Sequence, residues 1–142
     1  MKKTITVLAA AVLAVTGCAR TATKCEAFKE VFKQNQAYFA TNKADLTPET
    51  KQVLDKQAQW LKSNPEKKII VKGYADPRGA AEHNMRLGQK RAQAVKDYLV
   101  QSGVDANRVS VVSFGETDLA STKNTHDGWI EDRRTVSVIV TE

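Results

Sequence analysis

Cysteine is scarce in this 142-residue chain, which has two, Cys18 and Cys25. Two cysteines cannot build a dense disulfide scaffold, and neither stands at metal-ligand spacing from His83 or His126, so the sequence offers no zinc site and no other metal or cofactor motif. No apolar run reaches the roughly 20 residues that a membrane-spanning helix requires. Dense basic tracts interleaved with aromatics are missing as well, which argues against nucleic acid as a partner. No serine or cysteine sits in a nucleophile elbow, and no acid pair has a hydrolase context. His83 beside Asp76 or Glu82 is a base with nothing to activate, and the chain reads as a non-enzyme. No internal repeat or low-complexity tract divides it.

What is present begins with a leader. Lys2 and Lys3 precede an apolar stretch from Ile5 to Val15, and small residues then lead to Cys18, the layout of a signal peptide over residues 1–17. Leu13-Ala14-Val15-Thr16-Gly17-Cys18 resembles a bacterial lipobox, whose cysteine is acylated and becomes the mature N-terminus; an ordinary signal peptide cut nearby is the alternative. Removing residues 1–17 leaves 125 residues and lowers the formal charge from +6 to +4. That length suffices for one domain with an adequate core, and the basic balance suits an anionic wall or membrane surface. With Cys18 acylated, Cys25 is left as a free thiol or the site of an intermolecular bridge. Ala19, rather than Asp, after the cysteine fits sorting to the outer membrane. Ala19 to Lys24 forms a short tether of about 20 Å when extended. Phe28, Val31 and Phe32 recur at helical spacing and predict a lead-in helix over 26–36.

The domain proper is expected from residue 37 to 142. Tyr38-Phe39-Ala40 reads as a strand. Thr47-Pro48-Glu49 opens a helix with a cap, a proline at the first position and an acid near the positive end of the dipole. Val53, Leu54, Ala58 and Leu61 form its apolar face, Trp60 borders it as packing, and Asn64-Pro65 ends it. Lys68 to Tyr74 alternates as a strand. A second helix runs from Ala81 to Gln101, buries Leu87, Ala94, Val95, Tyr98 and Leu99, and closes at Gly103. A turn at 105–107, a strand over 108–114, a polar loop from Gly115 to about Gly128 and a last strand over 135–141 complete the order. Strands separated by helices favour crossover units.

The centre of the chain is Gly73-Tyr74-Ala75-Asp76-Pro77-Arg78-Gly79, a strand exit and tight charged turn, followed by a helix that carries Asn84, Leu87, Gly88 and Arg91. Asn84, Leu87 or Gly88, and Arg91 are spaced by three, four and seven and share one helix face. Asp76 and Arg91 on facing elements would receive a zwitterion, the acid accepting from an ammonium and the planar guanidinium pairing with a carboxylate. An internal salt bridge among Asp76, Arg78 and Arg91 that merely fixes the turn accounts for the spacing equally well.

The run from Gly73 to Ala92, with Val95, Tyr98, Leu99 and Asp132-Arg133-Arg134, resembles the OmpA-like C-terminal domain superfamily, and within it the peptidoglycan-associated lipoprotein (Pal) group, over about Tyr38 to Val140. The resemblance implies an α/β (α+β) sandwich of order βαβαββ with helices packed on one mixed sheet. It implies an outer-membrane lipoprotein, anchored by its N-terminal lipid with the domain facing the periplasm. Such a protein binds the diaminopimelate stem peptide of peptidoglycan without covalent linkage and ties membrane to wall. Asp76 and Arg91 would hold the amino and carboxylate ends of diaminopimelate, and Asn84 would assist; Leu87 is a further candidate from the shared helix face, and Arg133 is a secondary one, with a solvated ion pair as the equal alternative. Docking to a TolB-like periplasmic protein in a Tol-Pal-type complex is the alternative role. The chain departs from the pattern at Tyr74, commonly His; at Asp132, usually Asn, where an acid competes for the neighbouring arginines; and at Ala40-Thr41-Asn42, where Pal-like sequences carry two acids and an aromatic.

Overall fold

The computed structural model describes residues 31–140. The leader, Cys18, Cys25, the tether and all but the end of the lead-in segment lie outside the described residues. Gln36 already belongs to a strand, so the lead-in helix expected to run to Gln36 stops short of it.

The elements are β1 (Gln36–Tyr38), α1 (Pro48–Ser63), β2 (Lys68–Tyr74), α2 (Ala81–Gln101), a 3-10 turn (Ala106–Arg108), β3 (Val109–Gly115), α3 (His126–Asp132) and β4 (Arg134–Val140). The sheet order is β1-β4-β2-β3. β2 and β3, joined through α2, pair in parallel, whereas β4 runs antiparallel between β1 and β2. The expected mixed sheet with helices packed on it is what forms. Among the described residues no helix is long and apolar enough to cross a membrane.

Local chemistry explains the boundaries. Thr47 Oγ1 accepts from the Thr50 amide at 3.2 Å and starts α1, while Arg108 reaches back to the carbonyls of Leu61, Asn64 and Lys67 at 2.7 to 2.8 Å and satisfies the other end. Gly103, at φ 101°, closes α2 in the left-handed region. β1 was expected over residues 38–40 but ends at Tyr38. Ala40 leaves the sheet because its carbonyl accepts from Lys43 N in a turn and from Arg91. α3 was read as loop and is a helix. Thr125 caps it through Gly128 N at 3.3 Å, and Gly128, a poor helix former, is required because a Cβ there would overlap the Lys123 carbonyl.

One sheet face is covered by α1 and α2. Ile69, Val71, Val109 and Val111 pack there against Leu54, Ala58, Leu61, Ala92, Val95 and Leu99, and Trp60 packs at the margin as expected. β4 presents Thr135, Ser137 and Ile139 to this face and leaves Val138 and Val140 exposed on the other. The contact between β2 and α2 is close enough that a Cβ on Gly73 would overlap the Gly88 carbonyl, and one on Gly88 would overlap Ser113 Oγ. Gly88 is therefore small for the sheet's sake.

Candidate functional site

Because β1, β2 and β3 run parallel to one another and β4 runs against them, the carboxyl ends of the first three and the amino end of the fourth meet at one edge of the sheet. Ligand sites of open α/β sheets form at such an edge. Four segments converge there: Phe39 to Lys43 after β1, Ala75 to Arg78 after β2, the first half of α2, and Arg133-Arg134 before β4.

Asp76 is nearly buried and held by two arginines. Arg78 grips it through Nε to Oδ1 at 3.0 Å and Nη2 to Oδ2 at 2.9 Å, and the Arg78 amide adds a bond to Oδ1 at 3.2 Å. Arg133 Nη1 lies 3.6 Å from Oδ2. Burial pushes the Asp76 carboxyl up, but the hydrogen bonds from Arg78 and the charges of Arg78 and Arg133 outweigh it and hold the group below its usual value.

Arg91 does not meet Asp76, and here the expected acid and base facing one another gives way to a different arrangement. Arg91 is 0% exposed, and it donates from Nε to the Lys43 carbonyl at 2.9 Å, from Nη1 to the Tyr74 carbonyl at 2.8 Å and from Nη2 to the Ala40 carbonyl at 3.0 Å. Its guanidinium carbon lies 5.3 Å from the Phe39 ring centre. Burial lowers its pKa to about 10, with Asp76 pulling upward and Arg133 downward. The group stays protonated at neutral pH and serves as a clamp on the loop 40–43. A turn-fixing salt bridge does form, but it joins Asp76 to Arg78 and Arg133 and leaves Arg91 out.

The other expected site residues are brought to the same edge. Asn84 is buried behind the turn, where its Nδ2 donates to the Arg78 carbonyl at 3.0 Å and to Glu116 Oε2 at 2.6 Å, so it positions the turn. Leu87 lines a small cavity of about 130 Å³ with Asn42 and His83. Arg133 is nearly buried; its Nε donates to the Phe39 carbonyl at 2.8 Å, and its Nη1 has no hydrogen-bond acceptor. Asp132 does not compete for the arginines. It turns away and accepts from the Ala120 and Ser121 amides at 2.7 and 3.1 Å, fastening the loop before α3. Tyr74 stacks with Phe114 at 5.4 Å and lies under the Arg134 guanidinium at 4.0 Å.

Two contributors escaped the sequence reading. Arg78 is expected only as a member of a turn-fixing salt bridge and not as a site residue, yet it is the partner that covers Asp76. Its side chain is 40% exposed, its Nη2 donates to Thr41 Oγ1 at 3.3 Å, and its guanidinium carbon lies 4.2 Å from the Trp129 ring centre. Trp129 stands on the unread helix α3 and faces a cavity of about 430 Å³ bordered by Pro77, Arg78 and Leu119. The signal available in the sequence was Thr125 before Asp127 and Trp129, a short cap and dipole pattern.

The pattern of the OmpA family matches residues 38–133. The chain is 41% identical over 104 residues to the peptidoglycan-associated lipoprotein of Haemophilus influenzae, covering 73% of this chain and 68% of that one. It is 36% identical over 105 residues to the protein of the same name from Rhizobium meliloti, covering 74% of this chain and 60% of that one. The crystal structure of the peptidoglycan-associated lipoprotein from Burkholderia pseudomallei superposes with a TM-score of 0.76 at 31% identity, over 78% of this chain and 93% of that one.

Proposed function

This chain belongs to the OmpA family, and from that premise we propose that it is an outer-membrane lipoprotein that binds peptidoglycan without covalent linkage and tethers the membrane to the wall. Residues 1–17 are its signal peptide, Cys18 carries the lipid, and the domain faces the periplasm. The ligand is the diaminopimelate-bearing stem peptide, received at the edge where Asp76, Arg78 and Arg133 converge. The relatives named peptidoglycan-associated lipoprotein support the class of ligand. The observation that carries the site is Asp76 itself, a carboxylate kept ionised at the end of β2 whose outer partner is an exposed arginine.

Mechanically the protein is a tether with two ends. Each buried methylene of an acyl chain contributes about 0.8 kcal/mol, and two or more chains anchor stably where one does not. The wall end is modest for a single molecule, but many copies held at one membrane raise the effective concentration of sites, and the array outlasts any single contact. Arg91 and Asn84 act from behind: Arg91 fixes the loop after β1, and Asn84 fixes the turn that presents Asp76.

Cosedimentation with purified peptidoglycan tests this reading. Asp76→Asn, which keeps the shape and removes the charge, abolishes sedimentation while the circular dichroism spectrum stays unchanged. Undiminished sedimentation of that variant sinks the assigned site. Cys18→Ala loses incorporation of labelled palmitate and releases the protein from membranes.

A further inference from the structure

The Asp76–Arg78 pair, resting on Trp129, has the form of an occupied ammonium site. Arg78 supplies both donors that a ligand ammonium would supply, and it takes both carboxylate oxygens. It does so from the surface, with 40% of its side chain exposed, whereas Asp76 is almost enclosed and has Arg133 at 3.6 Å as a second, buried cation. Of the two arginines, Arg78 is the one able to leave without exposing the core. Its guanidinium does not depend on Asp76 alone for its place, because the Trp129 ring supports it at 4.2 Å and Thr41 Oγ1 accepts from Nη2. Arg78 and Trp129 together border the cavity of about 430 Å³, so the fork has open space beside it while it stays on the ring.

Arg91, the expected carboxylate receptor, is unsuited to that task here, since it is wholly enclosed and three of its five N–H groups are committed to backbone carbonyls of the surrounding loops. We infer that Arg78 is the group that reads the ligand's carboxylate, and that binding is an exchange of ion pairs. The ligand ammonium replaces Arg78 on Asp76, and the freed Arg78, still supported by Trp129, pairs with the carboxylate on the same head group. No proton moves, and charge is conserved within the site: one internal pair opens and two ligand pairs form. A head group with an ammonium but no carboxylate would open the pair and leave Arg78 without compensation. The exchange thus selects a zwitterionic amino-acid terminus over a simple amine, which makes Arg78 the specificity determinant. It rests on the wall-binding reading above and names the chemistry of that same site.

Calorimetric titration of the purified protein with two synthetic tripeptides tests it. One is L-alanyl-γ-D-glutamyl-meso-diaminopimelate; the other carries L-lysine in the last position and so lacks only the side-chain carboxylate. Wild type prefers the diaminopimelate peptide by about tenfold, the scale of one charge-assisted bidentate contact. In Arg78→Gln the diaminopimelate peptide weakens about tenfold while the lysine peptide binds as well as before or better, because Asp76 is uncovered. Arg78→Lys, which keeps the charge and loses the planar fork, falls between. A preference that survives in Arg78→Gln overturns the exchange and leaves wall binding intact. Equal weakening of both peptides overturns it as well, since Arg78 would then be a general support. Failure of wild type to bind either peptide overturns the wall-ligand reading itself.

Discussion

Replacing Arg91 by alanine separates a clamp from a ligand contact, and the structure sets the size of the effect. Three carbonyls lose their donor. Those of Ala40 and Lys43 belong to exposed loop residues that water can reach, whereas the Tyr74 carbonyl is buried and stays unpaired, at a cost of about 1 to 3 kcal/mol. The lost contact with Phe39 and the space left by the side chain add about 1 to 2 kcal/mol. Relief of the buried charge offsets part of this. The expected loss is about 3 kcal/mol, a large share of the roughly 5 to 15 kcal/mol that holds a domain folded. With a urea slope of about 1.5 kcal/mol per molar, the unfolding midpoint falls by about 2 M at unchanged slope. Wall binding falls too, because the loop after β1 is released. A variant that keeps the wild-type midpoint yet fails to sediment with peptidoglycan would show Arg91 touching the ligand and would refute the clamp.

Asp76 gives a pH prediction. Its folded pKa lies below the ordinary 3.8, so the stability it contributes is fully present above about pH 4 and is lost as pH falls through the lower folded value. Sedimentation with peptidoglycan and the urea midpoint should both hold level from pH 7 to 5 and drop at lower pH, and the Asp76→Asn midpoint should lack the contribution from this group. Gly73→Ala forces β2 and α2 apart at the Gly88 carbonyl; overpacking of this kind costs about 2 kcal/mol, and calorimetry should show Tm lower by about 10 °C. Asp132→Ala strips the acceptor from two loop amides at a cost of about 1 to 3 kcal/mol, and hydrogen exchange at Ala120 and Ser121 should accelerate.

The sequence by itself determined what depends on neighbours along the chain. The cap at Thr47, the stop at Asn64-Pro65, the alternation from Lys68 to Tyr74 and the full extent of α2 were legible because helix caps and periodicity act within a few residues. The resemblance pointed to Asp76, Asn84 and Arg133 as neighbours, and the fold sets Arg133 beside Asp76 and Asn84 behind the turn that carries it. Helix α3 was hidden because the glycine in its first turn, Gly128, looks like loop chemistry until the Lys123 carbonyl is seen against it. The pairing of charges was legible only in part: a bridge from Asp76 to Arg78 was one of two readings, whereas the inclusion of Arg133 and the exclusion of Arg91 were not. Three arginines stand near one acid, and which of them reaches it depends on where β1, β2 and β4 end in space: Arg91 was captured by the carbonyls of Ala40, Lys43 and Tyr74, which left Asp76 to Arg78 and Arg133. Only the tertiary structure decides such a contest, because hydrogen bonds are made to atoms brought within about 3 Å by the packing of distant segments, and the spacing of residues along the chain carries no record of those distances.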